Sequence, residues 1–330
     1  MIIDQHQRIH SYLRISLIER CNLRCTYCMP EEGIPLLPKS HIMQNEEIVG
    51  ISKEYVKLGV TKIRLTGGEP LMRKGLDDIL EGLQALNVDL GMTTNAILLD
   101  KHWDLLKRTG CTKINISLDS LVAEKMNALS RRNKFDIIMK NILETIKRGF
   151  EVKINVVLLK GTNDNEIVDF IEWGRHLPIT VRFIEFMPFS GNKWDWKENG
   201  VSLQDVLSKA TTHFGKDEIE RVEDAPNDVS KNYRIKGSIG KFAVIATVSN
   251  PFCDTCNRMR LTADGKMKNC LFSKSETDVL KAFRAGEDIQ KVIRDGVWNK
   301  KDVRAGMTNF EDFSDPAQNQ ENRSMIRIGG

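Results

Sequence analysis

A regular alternation of short apolar runs and longer amphipathic stretches limits this chain to a few folds. Six short runs rich in β-branched residues predict strands: Leu13–Ile18, Lys62–Thr66, Asp89–Thr93, Lys113–Leu118, Lys153–Leu159 and Val181–Met187. Amphipathic stretches between them predict helices: Asn45–Leu58, Leu76–Leu86, Lys101–Arg108, Phe135–Arg148 and Asp164–Arg175. Six strand–helix units in series predict parallel strands.

The number of units leaves two architectures open. A closed (β/α)8 barrel needs eight units, so the chain forms either a partial barrel or an open doubly wound sheet. In both folds, ligands bind at the carboxyl ends of the strands. The predicted strands end at polar or glycine-rich residues: Cys21, Gly67-Gly68-Glu69-Pro70, Thr93-Thr94-Asn95, Ser117 and Asp119, and Glu185 and Met187. These ends predict a single active site on one face.

The alternation stops after about residue 203. Asp217–Lys236 is charged and predicts a loop, Lys241–Val248 predicts a strand, and Arg260–Leu271 predicts a hairpin that turns at Asp264-Gly265. Helices are predicted between residues 277 and 298. We therefore divide the chain into a barrel, residues 1–215, and a C-terminal region, residues 216–330, which ends in a flexible Gly329-Gly330 tail.

Charge and hydrophobicity exclude several classes of protein. The net charge of +4 is too small to indicate a nucleic-acid partner. The first residues are polar, and no run approaches the roughly 20 apolar residues of a membrane span. We expect a soluble cytoplasmic protein without a membrane partner. In that reducing compartment the seven cysteines favour metal binding over disulfides.

Cys21, Cys25 and Cys28 lie close together, directly after the first predicted strand. Three thiolates at this spacing can bind three irons of a cubane cluster and leave the fourth iron free to bind a small chelating ligand. The alternative is a Cys3His zinc site that uses His10 or His41.

Cys253, Cys256 and Cys270 form a second triad in the C-terminal region. This triad also leaves one metal position open, but a zinc ribbon that lacks one ligand has a similar pattern. Arg258 and Arg260 favour a ligand-binding site, because guanidinium groups beside a metal bind anions such as phosphate. The remaining cysteine, Cys111, is predicted to be a buried apolar residue.

Two segments resemble motifs of the radical S-adenosylmethionine (SAM) superfamily. The run Cys21-Asn22-Leu23-Arg24-Cys25-Thr26-Tyr27-Cys28 is similar to its cysteine motif, and Leu65-Thr66-Gly67-Gly68-Glu69-Pro70 resembles its glycine-rich motif. Phe252–Leu261, Cys270-Leu271 and the terminal Gly329-Gly330 resemble the GTP 3′,8-cyclases of molybdenum cofactor biosynthesis (MoaA), and the likeness covers essentially the whole chain. One departure is Ala96, where members of that family usually have glycine.

The resemblance implies a partial (β/α)6 TIM-type barrel with a C-terminal α+β extension, two [4Fe–4S] clusters and SAM. The first cluster would be held by Cys21, Cys25 and Cys28 and would bind SAM, with Tyr27, Gly68, Ser117 and Met187 as SAM contacts. The second would be held by Cys253, Cys256 and Cys270 and would bind the guanine base. The implied GTP contacts are Arg14, Arg64, Thr93, Lys153, Arg258, Met259 and Arg260.

The chemistry implied by the resemblance is cyclisation of GTP. A 5′-deoxyadenosyl radical from SAM would remove hydrogen from C3′, and C3′ would bond to C8 to give 3′,8-cyclo-7,8-dihydro-GTP. No side chain is predicted to be catalytic, because the radical is generated on SAM. The terminus would reach the active site.

The implied partners are a low-potential electron donor of the flavodoxin or ferredoxin type and a downstream cyclic pyranopterin monophosphate synthase, and a homodimer is left open. Two alternatives remain. Another two-cluster radical SAM enzyme, such as one that modifies a peptide, usually carries more cysteines in its second half. A zinc-dependent RNA- or protein-binding module would contain no iron.

Overall fold

The computed structural model describes residues 1–189, 195–314 and 322–329 of the chain. Within these ranges the strands form one mixed sheet. They are β1 (Tyr12–Ser16), β2 (Lys62–Thr66), β3 (Asp89–Thr94), β4 (Lys113–Ser117), β5 (Glu151–Leu158), β6 (Ile179–Glu185), β7 (Ile219–Val222), β8 (Lys231–Ile235), β9 (Lys241–Ile245), β10 (Arg258–Leu261), β11 (Lys266–Lys268) and β12 (Thr277–Asp278).

Helices connect the parallel strands and cover the sheet. The α-helices are α1 (Asn45–Lys57), α2 (Leu76–Gln84), α3 (Trp103–Arg108), α4 (Ala123–Ser130), α5 (Phe135–Lys147), α6 (Ile167–Arg175), α7 (Trp196–Asn199), α8 (Leu203–Phe214), α9 (Val279–Arg284), α10 (Ile289–Trp298), α11 (Phe310–Ser314) and α12 (Met325–Ile328). Short 3₁₀ turns lie at Lys39–His41, Pro70–Met72, Leu99–Lys101, Asp164–Glu166, Lys216–Glu218 and Arg304–Gly306. No helix in the described ranges has the length and apolar character needed to cross a membrane.

The strand order confirms the partial barrel. Strands β1 to β6 are parallel and lie side by side in chain order, without the reversal of a doubly wound sheet. The parallel arrangement continues at both edges, where β10 pairs with β1 and β9 pairs with β6. The antiparallel strands β11 and β12 extend one edge, and β8 and β7 extend the other.

Side chains alternate between the two faces of each strand, as the pleat requires. In β5, Val152, Ile154 and Val156 are buried in the main hydrophobic core, whereas Lys153 and Asn155 are half-buried on the opposite face. Strand β6 repeats this pattern, with Val181 and Phe183 buried in the core and Arg182 half-buried on the opposite face. The sheet therefore packs an apolar face against the helices and presents a polar face to the barrel interior.

The structure corrects one sequence-based expectation in the C-terminal region. The charged segment 217–236, predicted to be a loop, contains β7 and β8, which pair antiparallel with each other. Polar side chains are compatible with these strands because they extend the open edge of the sheet, where one face and one edge remain accessible. The proposed boundary at residues 215/216 stays a prediction. Gly330 lies outside the described residues, as do residues 315–321 of the polar tail.

Candidate active site

The first cysteine triad lies in the loop that leaves the carboxyl end of β1, and its three thiols are half-buried. The loop closes on itself through the amide of Cys28, which donates to the carbonyl of Cys25 at 3.0 Å. The Tyr27 hydroxyl donates to Oδ2 of the buried Asp119 at 2.7 Å. Asp119 follows β4, so this bond fixes the cysteine loop to a second strand end.

Two glycines allow the end of β2 to approach the cysteine loop closely. The amide of Gly68 donates to the carbonyl of Ile18 at 2.6 Å. A Cβ at Gly68 would lie 2.2 Å from the carbonyl oxygen of Arg20, and one at Gly67 would lie 2.6 Å from that of Ile18. No side chain larger than hydrogen fits at either position without displacement of the loop backbone.

Glu69 ties the ends of β2 and β3 to the first triad. Its buried carboxylate accepts from the Thr94 hydroxyl at 2.7 Å and from the amides of Asn95 and Leu71 at 2.8 and 3.1 Å. Burial raises the pKa of Glu69 to about 7. The Asn95 side-chain amide lies 3.7 Å from the Cys21 sulfur. The glycine-rich motif and the cysteine motif thus form one connected structure.

The thiols of the first triad fit a cluster better than a single ion. Burial raises the pKa of Cys21 to about 11 and of Cys28 to about 12, and the Cys21 thiol raises the latter further. Across the described residues no group of three His, Cys, Asp or Glu side chains is arranged to hold a single metal ion. Three buried thiols can instead each bind one iron of a polynuclear iron–sulfur cluster, whose irons stabilise the thiolates.

The histidines proposed for zinc do not join the triad. His10 is buried, and its Nε2 lies 2.9 Å from Oδ2 of Asp4. His41 is exposed in the loop before α1. The geometry therefore favours the cluster over a Cys3His zinc site.

The residues predicted to contact SAM lie around the carboxyl ends of the strands. Tyr27 belongs to the cysteine loop, Gly68 follows β2, Ser117 ends β4, and Met187 follows β6. Met187 also lines a cavity inside the barrel. The structure thus brings these four residues to the carboxyl ends of the strands, and their contact with SAM stays a prediction.

The second triad lies at the opposite end of the barrel interior. Cys253 and Cys256 precede the amino end of β10, which runs parallel to β1, and Cys270 follows β11. All three cysteines line a cavity that has about 1050 Å³ of empty space, its opening included. Although burial raises the pKa of Cys256, the charges of Arg258 and Lys300 lower it to about 6.

Arginines on adjacent strands form a row of positive charge, and two of them, Arg14 and Arg260, line this cavity. Arg260 on β10, Arg14 on β1 and Arg64 on β2 occupy the same register. Burial and the neighbouring charge of Arg14 lower the pKa of Arg260 to about 9. The Nε of Arg14 is buried without a hydrogen-bond partner. Adjacent cations with an unpaired donor fit a polyanionic ligand.

Four of the seven predicted GTP contacts, Arg14, Thr93, Arg258 and Arg260, line the cavity. The other three do not. The Arg64 guanidinium donates to the Tyr12 hydroxyl and to the carbonyl of Met92, each at 2.9 Å. Lys153 lies 3.3 Å from a carboxylate oxygen of Glu151. The side chain of Met259 is buried in the main core, because it points to the face of β10 opposite to Arg258 and Arg260.

Several further polar residues in the cavity wall were not singled out from the sequence. Three of them lie on neighbouring strands of the barrel: Asn115 on β4, Asn155 on β5 and Arg182 on β6. The Arg182 guanidinium donates two hydrogen bonds to Oδ1 of Asn155, at 2.6 and 3.0 Å, and burial lowers its pKa to about 9. A polar residue at alternate positions of an otherwise apolar strand is the signal that identifies such inward side chains.

Gly329, the last residue that the structure describes, lies inside the site. The carbonyl oxygen of Gly329 accepts a hydrogen bond from Arg260 at 2.5 Å. Gly329 has φ +84°, and a Cβ there would lie 2.6 Å from the Thr66 hydroxyl and 2.8 Å from Cβ of Ser16. A glycine is therefore needed where the chain end passes between the carboxyl ends of β1 and β2.

Comparison with known proteins agrees with this arrangement. Residues 15–174 match the Radical SAM superfamily, and residues 179–305 match Molybdenum Cofactor Synthesis C. The chain is 45% identical to the mitochondrial GTP 3′,8-cyclase of Arabidopsis thaliana, with all of this chain and 84% of that protein covered. It is 44% identical to GTP 3′,8-cyclase of Listeria monocytogenes, with 84% of each covered. The chain belongs to the GTP 3′,8-cyclase family of radical SAM enzymes.

Other members of this family are longer. The chain is 44% identical to human molybdenum cofactor biosynthesis protein 1 over 88% of its own length but spans only 46% of that protein. Among solved structures, Streptococcus suis SuiB is similar with a TM-score of 0.64 at 17% identity, over 90% of this chain and 69% of SuiB. The likeness to SuiB supports the fold alone.

Proposed function

We propose that this protein converts GTP to 3′,8-cyclo-7,8-dihydro-GTP, the first step of molybdenum cofactor biosynthesis. The observation that carries the proposal is a cavity inside the barrel that is lined by the second cysteine triad and by Arg14, Arg258 and Arg260, while the first triad lies at the carboxyl end of β1. The first triad and the glycine-rich loop suit a SAM-binding cluster, and the arginine row suits a triphosphate. Family membership supplies the reaction that joins these two ligands.

In this proposal Cys21, Cys25 and Cys28 hold a [4Fe–4S] cluster that binds SAM. Gly68, which packs closely on the backbone of the cysteine loop, is proposed to contact the SAM methionine moiety. Tyr27, Ser117 and Met187 complete its surroundings. When bound, the cluster and SAM supply the 5′-deoxyadenosyl radical that removes the C3′ hydrogen of GTP. The residues of the chain orient both ligands and exclude water.

Cys253, Cys256 and Cys270 are proposed to hold a second [4Fe–4S] cluster, which binds the guanine base. Arg14, Arg258 and Arg260 are proposed to bind the triphosphate, with Thr93 beside them. Arg64, Lys153 and Met259 remain part of the proposed set, although Arg64 and Lys153 have protein partners and the side chain of Met259 is buried in the main core.

Three partner assignments complete the proposal. A low-potential electron donor of the flavodoxin or ferredoxin type would reduce the first cluster, and a cyclic pyranopterin monophosphate synthase would consume the product. A homodimer stays open. Gly329 supports a role for the chain terminus in the site, because it contacts both Arg260 and the end of β2.

The test begins with metal content after anaerobic purification. We expect about eight irons and eight sulfides per chain, as two [4Fe–4S] clusters require, and no stoichiometric zinc. The protein is then incubated with SAM, GTP and dithionite, and the products are separated chromatographically. Formation of 5′-deoxyadenosine together with the cyclised nucleotide supports the proposal, whereas SAM cleavage that is independent of GTP and leaves GTP intact contradicts it.

A further inference from the structure

Lys300 is a buried lysine beside the second triad. It lies just after α10, and 3% of its surface is exposed. Its Nζ donates to the Cys256 sulfur at 3.2 Å and to the carbonyl oxygen of Arg258 at 2.9 Å. Burying an ammonium group is costly unless it gains such partners. A positive charge is therefore held in direct contact with a cysteine of the second triad.

The N-terminal segment holds Lys300 in this position. The Gln5 side-chain amide donates to the carbonyl of Lys300 at 3.1 Å. The Arg8 guanidinium donates to the carbonyls of the next two residues at 2.9 and 2.7 Å, and to the carbonyl of Cys253 at 3.0 Å. Asp4 in turn accepts from Arg8 Nε at 2.7 Å. These bonds join the segment after α10 to the cysteine loop.

The first triad has neutral donors instead. The Cys21 sulfur accepts from the amide of Leu23 at 3.4 Å and lies 3.7 Å from the side-chain amide of Asn95. Over the described ranges no lysine or arginine side chain donates to a sulfur of this triad, and the carboxylate of Asp119 lies nearby through Tyr27. The charge of Arg24 also acts on the Cys21 thiol, but its guanidinium donates to the backbone carbonyls of Cys21 and Leu23. The two sites thus differ in whether a cation donates directly to a cysteine sulfur.

We propose that Lys300 is a positioning residue that raises the reduction potential of the second cluster above that of the first. Reduction adds negative charge to a cluster, and a fixed cation that donates an N–H to a ligand sulfur stabilises the reduced form. The inference rests on the proposed assignment of a [4Fe–4S] cluster to Cys253, Cys256 and Cys270. It adds a cause for a difference in potential between the two clusters.

The experiment is a redox titration of the reconstituted protein by electron paramagnetic resonance, comparing Lys300→Met with the unaltered chain. At the potential that half-reduces the second cluster of the unaltered protein, the reduced-to-oxidised ratio should fall about tenfold in Lys300→Met, which corresponds to about 59 mV for one electron. The midpoint of the first cluster should not change. Signals are assigned with Cys25→Ala protein, in which only the second cluster remains.

Lys301→Met is the matched control, because it removes the same charge from the adjacent, exposed lysine. It should leave both midpoints unchanged. Equal midpoints for the second cluster in Lys300→Met and in the unaltered protein, at about eight irons per chain, would overturn the inference and leave the proposed function standing. About four irons in the unaltered protein would instead overturn the two-cluster assignment itself.

A second pair of variants covers the case in which Lys300→Met does not retain its second cluster. Lys300→Arg keeps the charge and Lys300→Gln removes it while keeping a side-chain N–H. A more negative midpoint in the glutamine variant than in the arginine variant supports the inference, and equal midpoints overturn it. Loss of the cluster in both variants would also overturn it, because Lys300 would then be required for cluster assembly instead of for the potential.

Discussion

The two cysteine triads lie at opposite ends of one barrel, and the residues that surround them differ. The first sits at the carboxyl end of β1, packs on the main core, and depends on close backbone contacts at Gly67 and Gly68. The second sits at the amino end of β10, where Cys270 packs on a smaller aromatic cluster that includes Phe272 and Phe313. Its immediate neighbours are cations. The first site is specified by shape and the second by charge.

This difference has a consequence for ligand placement. In barrel enzymes, sites form at the carboxyl ends of the strands, as the first triad does. A second site at the amino end means that a ligand held there must extend through the polar interior to reach the first. The arginine row of Arg14 and Arg260 lies along that route.

Removal of one cysteine from each triad should separate the two sites most completely. Cys25→Ala and Cys256→Ala should each lower the iron content from about eight to about four per chain, because each cluster loses a ligand. Cys25→Ala should abolish 5′-deoxyadenosine formation, whereas Cys256→Ala should retain it with dithionite but yield no cyclised GTP. Cys111→Ala, at a cysteine buried in the core, is the control and should keep full iron. If Cys256→Ala protein kept about eight irons per chain, the assignment of a second cluster to this triad would be contradicted.

Gly68→Ala tests whether shape determines the first site. The added methyl would meet the carbonyl of Arg20 at 2.2 Å, so the cysteine loop must move. We expect SAM affinity, measured by equilibrium dialysis, to fall by about tenfold or more, with GTP affinity unchanged. Gly110→Ala is the control, since nothing lies within 4 Å of its Cβ and the cost is confined to about 1 kcal/mol of backbone strain. An equal loss of GTP affinity would mean that the sites are not separable.

Arg260→Ala tests whether charge determines the second site. A lost hydrogen bond to a charged group is worth about 1.5–3 kcal/mol, which predicts GTP binding weaker by about tenfold to hundredfold. Arg258→Ala should act in the same direction. SAM cleavage should remain possible in both. Arg294→Ala, exposed on α10, is the control for loss of charge. Unchanged GTP affinity by calorimetry in both cavity variants would make the phosphate assignment wrong.

Ala96→Gly is expected to have the smallest effect. Ala96 is buried and has φ +67°, a left-handed conformation in which its methyl group is strained. Glycine relieves that strain but loses the buried methyl and adds freedom to the unfolded chain, so the contributions nearly cancel. The free energy of unfolding, measured with denaturant on the apo-protein, should change by less than about 1 kcal/mol. A change above about 2 kcal/mol, or an altered SAM affinity, would show that the first site depends on this residue.

Local sequence patterns predicted the first half of the fold well. The predicted β2, Lys62–Thr66, coincides with the observed strand, and the predicted helix at Asn45–Leu58 ends one residue later than α1. These elements depend on apolar periodicity, which is a local property of the sequence. The pairing of β10 with β1 joins residues from opposite ends of the chain, so no local pattern could have revealed it.

Local sequence patterns were also limited in predicting the individual residues of the candidate site. The motif around Arg258 suggested three consecutive contacts, yet Met259 points into the core because successive residues of a strand face opposite sides. The same rule would have identified Asn155 and Arg182, which face inward from β5 and β6. Lys300 has no sequence signal of this kind, since its contact with Cys256 depends on how α10 ends against the cysteine loop.

The pairing of β10 with β1 also determines when the barrel can fold during synthesis. During synthesis, one edge of β1 stays without its neighbour until residues 258–261 have left the ribosome, although β2 is available on the other side early. Unpaired strand edges promote wrong pairing between chains. The first strand therefore cannot be paired on both edges until most of the chain has been made, and the nascent protein depends on the last quarter of its own sequence to cover that strand.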